Sequence, residues 1–243
     1  MSKSVVEKHF TLPELMEIDK LSNMVDSIFS VLDKKNIAQI INAFYFTSLV
    51  TEEGKIYVQI KNISKILRTG NSKAERPLIY RGKKDFLSPA QIITYEGHEY
   101  ISGPSLAALL DYRISTSKGK TKVYLKLSKN IFNNLNDCTS VNDLREMFLH
   151  NVEENRKNLK KERIKLKGIT KCELSGREFD SENDVEFSHI DSVAVAPEKA
   201  LNVENGLIVL KTIHKDITKN GINDFKELYV YCINNDYSTD WAE

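Results

Sequence analysis

The chain has 243 residues and a formal net charge of +1 at pH 7, with 41% apolar and 28% charged residues. This is ordinary globular composition, enough for one large domain or two small ones. No apolar run nears the roughly 18 to 20 residues that span a bilayer, and Met1–Glu7 lacks a secretory core, so a cytoplasmic protein is expected.

Cys138, Cys172 and Cys232 form no disulfide framework, and no Cys-x-x-Cys pair is present to hold a structural zinc. Charge is divided unevenly. From Cys172 onward there are 15 acidic residues against 6 basic ones, so the preceding part is strongly basic. A basic region points to nucleic acid or an acidic partner, and an acidic one to a divalent cation.

Thr11-Leu12-Pro13-Glu14 opens a helix: Thr11 can cap, Glu14 can reach back, and Pro13 suits the first turn. Apolar residues then recur from Leu15 through Ile18, Leu21, Val25, Ile28 and Phe29 to Leu32, and Lys34-Lys35-Asn36 ends the helix. A second helix, 37–49, is apolar on most sides and should be buried. The pair forms either a core-packing helical hairpin or a dimerisation surface.

Glu53-Gly54 is a turn, 55–60 alternates like a strand, and 64–67 is a short helix at most. Residues 68–84 read as a basic loop broken by Gly70, Pro77 and Gly82, in which Arg76, Arg81, Lys83 and Lys84 either bind phosphates or are solvated. Residues 91–101 read as a hairpin turning at Glu96-Gly97. Gly103-Pro104-Ser105 opens a helix over 106–112. Residues 113–122 read as a second basic loop, carrying Lys120 and Lys122, followed by a strand at 123–127 and a short helix at 129–135.

Ser140-Val141-Asn142-Asp143 caps a helix running to about Leu166. Its second half and the residues after it carry Arg156, Lys157, Lys160, Lys161, Arg163, Lys165 and Lys167 against Glu162 alone. Such a helix can lie along a phosphate backbone or act as a solvated connector.

From Cys172 the pattern carries chemistry. His189 closes a strand-like run, Asn205-Gly206 precedes the apolar run Leu207 to Leu210, and His214 follows on a short helix. In a strand–loop–strand–helix site, a histidine ending the first strand can take a proton from water, since neutral imidazole suits working pH. A loop asparagine can tie the loop and accept the base's second N–H. A helix histidine can hold a divalent cation that offsets phosphate charge. His189 is then the base, Asn205 the orienting residue and His214 a metal ligand.

This order resembles the HNH endonuclease family, in particular a restriction- or phage-type branch. The residues that carry the resemblance are Cys172-Glu173-Leu174-Ser175-Gly176, Glu186-Phe187-Ser188-His189-Ile190, Asn205-Gly206-Leu207 and Ile213-His214, about a fifth of the chain. It implies a ββα-metal fold and hydrolysis of DNA phosphodiester bonds with Mg²⁺ or Mn²⁺. Many members have Asp where Ser188 stands, and Asp, His or Asn where Thr218 stands, so Glu186, Asp191 or Asp216 would complete the metal shell. The expected class is α+β: a recognition or oligomerisation region over 1–138, a basic connector helix over 139–170, and an HNH-like nuclease domain over 171–243. The expected partners are double-stranded DNA and a second copy of the chain, with no membrane. The alternative is a catalytically impaired HNH-like protein that binds nucleic acid or protein.

Overall fold

The computed structural model describes residues 8–242. The fold is α+β, with helix outweighing strand. Among the described residues no helix is long and apolar enough to cross a membrane. The chain divides into two compact units, Met1–Met147 and Phe148–Glu243.

The first unit opens with β1 (His9–Thr11) and α1 (Leu12–Leu15). As expected, the Glu14 carboxylate accepts from Thr11 N at 2.6 Å and Thr11 Oγ1 at 2.8 Å. The long helix expected beyond it is broken. Met16 is extended, α2 covers only Ile18–Asn23, and a 3-10 turn follows at Ser27–Phe29. The breaks are stabilised from elsewhere in the unit: Tyr45 donates to the Met16 carbonyl and Asn134 to that of Met24. Bending lets Leu12, Leu21 and Phe29 enter the core separately, while Ile28 stays outside.

Asp33 accepts from Asn36 N, so Lys34-Lys35-Asn36 starts the next helix, α3 (Lys34–Thr47), instead of ending the previous one. Ile40 and Phe44 of α3 are buried, but Phe46 is exposed, so the helix has one wet side. In place of a helical hairpin, the chain continues into β2 (Ser48–Thr51) and β3 (Ile56–Gln59), joined at Glu53-Gly54. Gly54 needs its positive φ of 70°, and the Arg145 side chain occupies the space a Cβ would take.

After α4 (Ile63–Ile66) comes α5 (Glu75–Arg81), where a loop was expected. Pro77 is the third residue of α5, and proline is tolerated in a first turn. Burial of Ile79 anchors the helix to the core. β4 (Ile92–Tyr95) and β5 (His98–Ser102) form the expected hairpin, with Glu96 and Gly97 both at positive φ as a tight two-residue turn requires. The five strands form one antiparallel sheet in the order β1-β2-β3-β5-β4.

The helix from Gly103 is longer than expected: α6 runs Gly103–Thr116, with Ser102 as its cap. The second basic loop and the strand at 123–127 are absent, because α7 spans Gly119–Asn136. Tyr124, Leu125, Ser128, Ile131, Phe132 and Leu135 are buried at helical spacing, and this outweighs the short alternation Val123 to Leu127. Lys120 and Lys122 therefore lie in the first turn of a helix.

The division between the units falls within α8 (Thr139–Asn155). The continuous basic helix expected to Leu166 is interrupted by a 3-10 turn at Arg156–Asn158 before α9 (Leu159–Lys167). Asn155 precedes the break and Asn158 ends it; Asn155 donates to the Asn151 carbonyl, and such side chains compete with helical backbone bonds. In the second unit, β6 (Val185–His189) and β7 (Gly206–Leu210) pair antiparallel, from Val185 opposite Leu210 to His189 opposite Gly206. Next come α10 (Lys211–Lys219) and α11 (Phe225–Asn234). A separate core joins Cys172, Leu174, Leu207, Val209, Ile213, Ile217, Leu228 and Cys232, with Tyr237 and Trp241 against it.

Candidate functional site

The strand–loop–strand–helix segment places His189 at the end of β6, Asn205 just before β7 and His214 one turn into α10. His189 is fixed by two contacts. Its Nε2 lies 2.9 Å from the Ala200 carbonyl. A carbonyl only accepts, so Nε2 carries the hydrogen and Nδ1 of the neutral ring is a bare acceptor. The Phe187 ring packs edge-on to the imidazole, with centroids 5.0 Å apart. Burial pushes the pKa of His189 below the ordinary imidazole value. The bond to Ala200 opposes this, and the charges of Arg156 and His214 add to it.

Asn205 does not accept the imidazole N–H; the Ala200 carbonyl takes that place. The buried Asn205 side chain instead accepts from Asp191 N at 3.0 Å and donates to the carbonyls of Asp191 and Lys199 at 2.9 and 3.3 Å. It clamps both ends of the loop and so fixes the residue preceding Ala200. Its action on His189 is indirect.

The Asn205-Gly206 pair is also more than a turn. Gly206 is extended, and a Cβ there would lie 2.1 Å from Phe187 Cζ. Glycine is needed because the ring that supports His189 crosses directly over it.

His214 shares a cleft of about 710 Å³ with Glu186, Phe187, Arg156, Lys157 and Lys160. Burial lowers the pKa of His214, Glu186 raises it, and Arg156 lowers it. A carboxylate and an imidazole thus face one cleft beside a cation.

The other carboxylates expected as ligands are engaged elsewhere. Asp191 pairs with Lys199 and accepts from Phe225 N, and Asp216 accepts from the Tyr231 hydroxyl at 2.8 Å. Thr218 donates to the carbonyl of His214, one turn back along α10. Among the described residues no group of three metal-ligating side chains converges. Of the expected ligands, His214 and Glu186 face this cleft together, and Glu153 lines it too; a hard cation there can take its remaining positions from water or phosphate oxygens.

The basic residues of the connector separate by environment. Arg156, Lys157, Lys161 and Lys165 are exposed. Lys160 donates to the carbonyls of Glu182 and Val185, and Lys167 pairs with Glu204 at 2.9 Å. Arg163, expected on a DNA-facing surface, is 6% exposed. Its guanidinium forks onto Glu173 at 2.7 and 3.2 Å and also reaches Glu204 and the Val203 carbonyl. Glu173 in turn accepts from Ile208 N at 2.6 Å. Arg163 therefore ties α9 to the outer edge of β7 and is withdrawn from any ligand.

In the first unit Arg76, Arg81, Lys83, Lys84 and Lys120 are exposed and Lys122 is half-buried. The sequence reasoning missed Phe187, Glu173 and the Ala200 carbonyl. Only the Phe-x-His spacing hinted at the first, since residues two apart share a strand face.

Comparison with protein-family models, with curated proteins and with solved structures finds no match to this chain.

Proposed function

We propose that the second unit is a ββα-metal module of the HNH type and that the protein is a metal-dependent DNA endonuclease. The observation that carries this reading is the state of His189. Its Nε2 is committed to a backbone carbonyl, its Nδ1 is bare, and its proton affinity is reduced, beside a cleft holding His214, Glu186 and Arg156.

In this reading Nδ1 of His189 takes a proton from water as the water oxygen attacks phosphorus and the bond to the leaving oxygen breaks. Arg156 and Lys157 hold the phosphate backbone entering the cleft. A divalent cation, Mg²⁺ or Mn²⁺, held by His214 and Glu186 would offset charge on the phosphate and the departing oxygen. One such centre cuts one strand, so a homodimer is the form that breaks a duplex. A site with only two protein donors also suits a second reading, a module that retains DNA binding without hydrolysis.

Plasmid cleavage with Mg²⁺ or Mn²⁺ separates the two. The expected result is metal-dependent nicking that is lost in His189→Ala while DNA binding persists. Nicking that survives His189→Ala, or salt-sensitive binding with no cutting under either metal, would overturn the nuclease reading.

A further inference from the structure

The first unit carries a feature the hydrolytic site does not use. Beyond α5 the chain makes a tight turn at Lys83–Leu87: Lys83 N donates to the Leu87 carbonyl at 2.7 Å, and Leu87 N and Phe86 N return to the Lys83 carbonyl at 2.9 Å. Gly82 enters the turn at a φ of +66°, with its α-carbon so close to the returning strand that a Cβ would lie 2.1 Å from the Leu87 carbonyl oxygen. On the far side, Ala90 N donates to the Ile79 carbonyl at 2.8 Å, and Leu87 packs on the core. The turn is thus tied down at both ends.

At its tip stands Phe86, 76% exposed. Arg81, Lys83 and Lys84 surround it and make no ion pair among the described residues. Asp85 is the one acid within the turn. Two hollows meet at Phe86: one of about 390 Å³ on the side of the cations, and one of about 300 Å³ on the side of Pro104, Ala108 and Leu109.

An aromatic ring held out on a braced turn, with unpaired cations beside it, matches one partner chemistry closely. We propose that this turn is a DNA-contact element, with Phe86 stacking on a base and Arg81, Lys83 and Lys84 holding the flanking phosphates. It deepens the nuclease reading, and rests on it for the choice of DNA. Stacking on an aromatic ring tolerates any base, and each cation on a phosphate releases counterions. Charge argues against a second copy as occupant, since a twofold contact would set these cations against themselves.

The test is fluorescence anisotropy of the full chain on a labelled duplex with a single-stranded overhang, whose unpaired bases leave their faces open to stacking, in EDTA, where no cutting occurs, across a salt series. Phe86→Ala should weaken binding by about tenfold, Phe86→Trp should retain it and Phe86→Leu should not. The double variant Lys83→Ala/Lys84→Ala should reduce the salt slope by about two. Circular dichroism checks that each variant is folded. Binding that is indifferent to Phe86, or loss of self-association in Phe86→Ala in place of loss of DNA affinity, overturns the proposal, as does a wild-type chain that binds no DNA. Cleavage is read separately. A chain that binds with these signatures but never cuts keeps the turn and sinks the nuclease reading, and one that cuts while binding ignores Phe86 does the reverse.

Discussion

Gly206→Ala tests how His189, the base of the proposed mechanism, is held. The new Cβ would lie 2.1 Å from Phe187 Cζ and 2.3 Å from Cε1. Carbons settle about 3.5–4.0 Å apart, so the ring must retreat by about 1.4 Å or more. The His189 imidazole rests against that ring, with its Nε2 tethered to Ala200. The ring can swing toward the cleft, because Phe187 is only half-buried, but His189 then loses its support. Overpacking of this kind costs about 1–3 kcal/mol. A displacement near 1 Å at a reacting group costs about 100-fold in rate. Thermal unfolding and plasmid nicking should therefore both fall in Gly206→Ala. Adding Phe187→Ala removes the clash, so the double variant should be more stable than the two single losses imply, by about 0.5 kcal/mol or more. Wild-type melting and nicking in Gly206→Ala, or strict additivity in the cycle, would refute this account of the supporting ring.

Three further outcomes follow from the same geometry. In the proposed mechanism the base must be neutral, and the pKa of His189 is lowered, so the acidic limb of the kcat/KM profile should lie below about 6.5; a limb above pH 7 contradicts the burial argument. Without metal, His189 and His214 each bind a proton less readily in the fold than in the unfolded chain. Their contribution is present above about pH 6.5 and is lost as pH falls toward the lowered folded values. Melting in EDTA should thus drop less between pH 7.5 and pH 5 in His189→Gln/His214→Gln than in wild type, and an equal drop would exclude the pair as its cause. Arg163→Met leaves Glu173 without its guanidinium and should destabilise the second unit by about 3 kcal/mol, measured by urea unfolding. The salt slope of DNA binding should stay unchanged in Arg163→Met and fall in Arg156→Ala/Lys157→Ala; a changed slope in Arg163→Met would return that residue to the binding surface.

What could be read in advance was whatever depended on a few neighbouring residues. Glu96-Gly97 specifies a hairpin because both positions must take positive φ, and Thr11 with Glu14 specifies a helix start. The order His189, Asn205, His214 likewise marks strand end, loop and helix, and the chain puts them there. The errors arise where a distant partner decides. Val123 to Leu127 alternates like a strand, yet its residues complete a buried helical face that runs on to Leu135. The apolar spacing from Leu15 to Leu32 suits a straight helix, but the breaks are favoured by Tyr45 and Asn134 reaching back from far along the chain.

The carboxylates make the same point about chemistry. Glu186, Asp191 and Asp216 are equivalent as letters near two histidines. Their roles separate only through what lies opposite: Lys199 and the first amide of α11 for Asp191, the Tyr231 hydroxyl for Asp216, and for Glu186 the cleft with His214, where Lys211 Nζ stands 4.0 Å away. A carboxylate held closely by both a cation and an amide gains little from a metal, whereas one facing a cleft, with its cation at 4.0 Å and no amide donor among the described residues, still has oxygen lone pairs to offer. The reduced donor set is therefore a consequence of α11. By capping one aspartate's lone pairs with its first amide and another's with Tyr231, that helix leaves Glu186, of the three, as the carboxylate facing His214, in a cleft that Glu153 also lines.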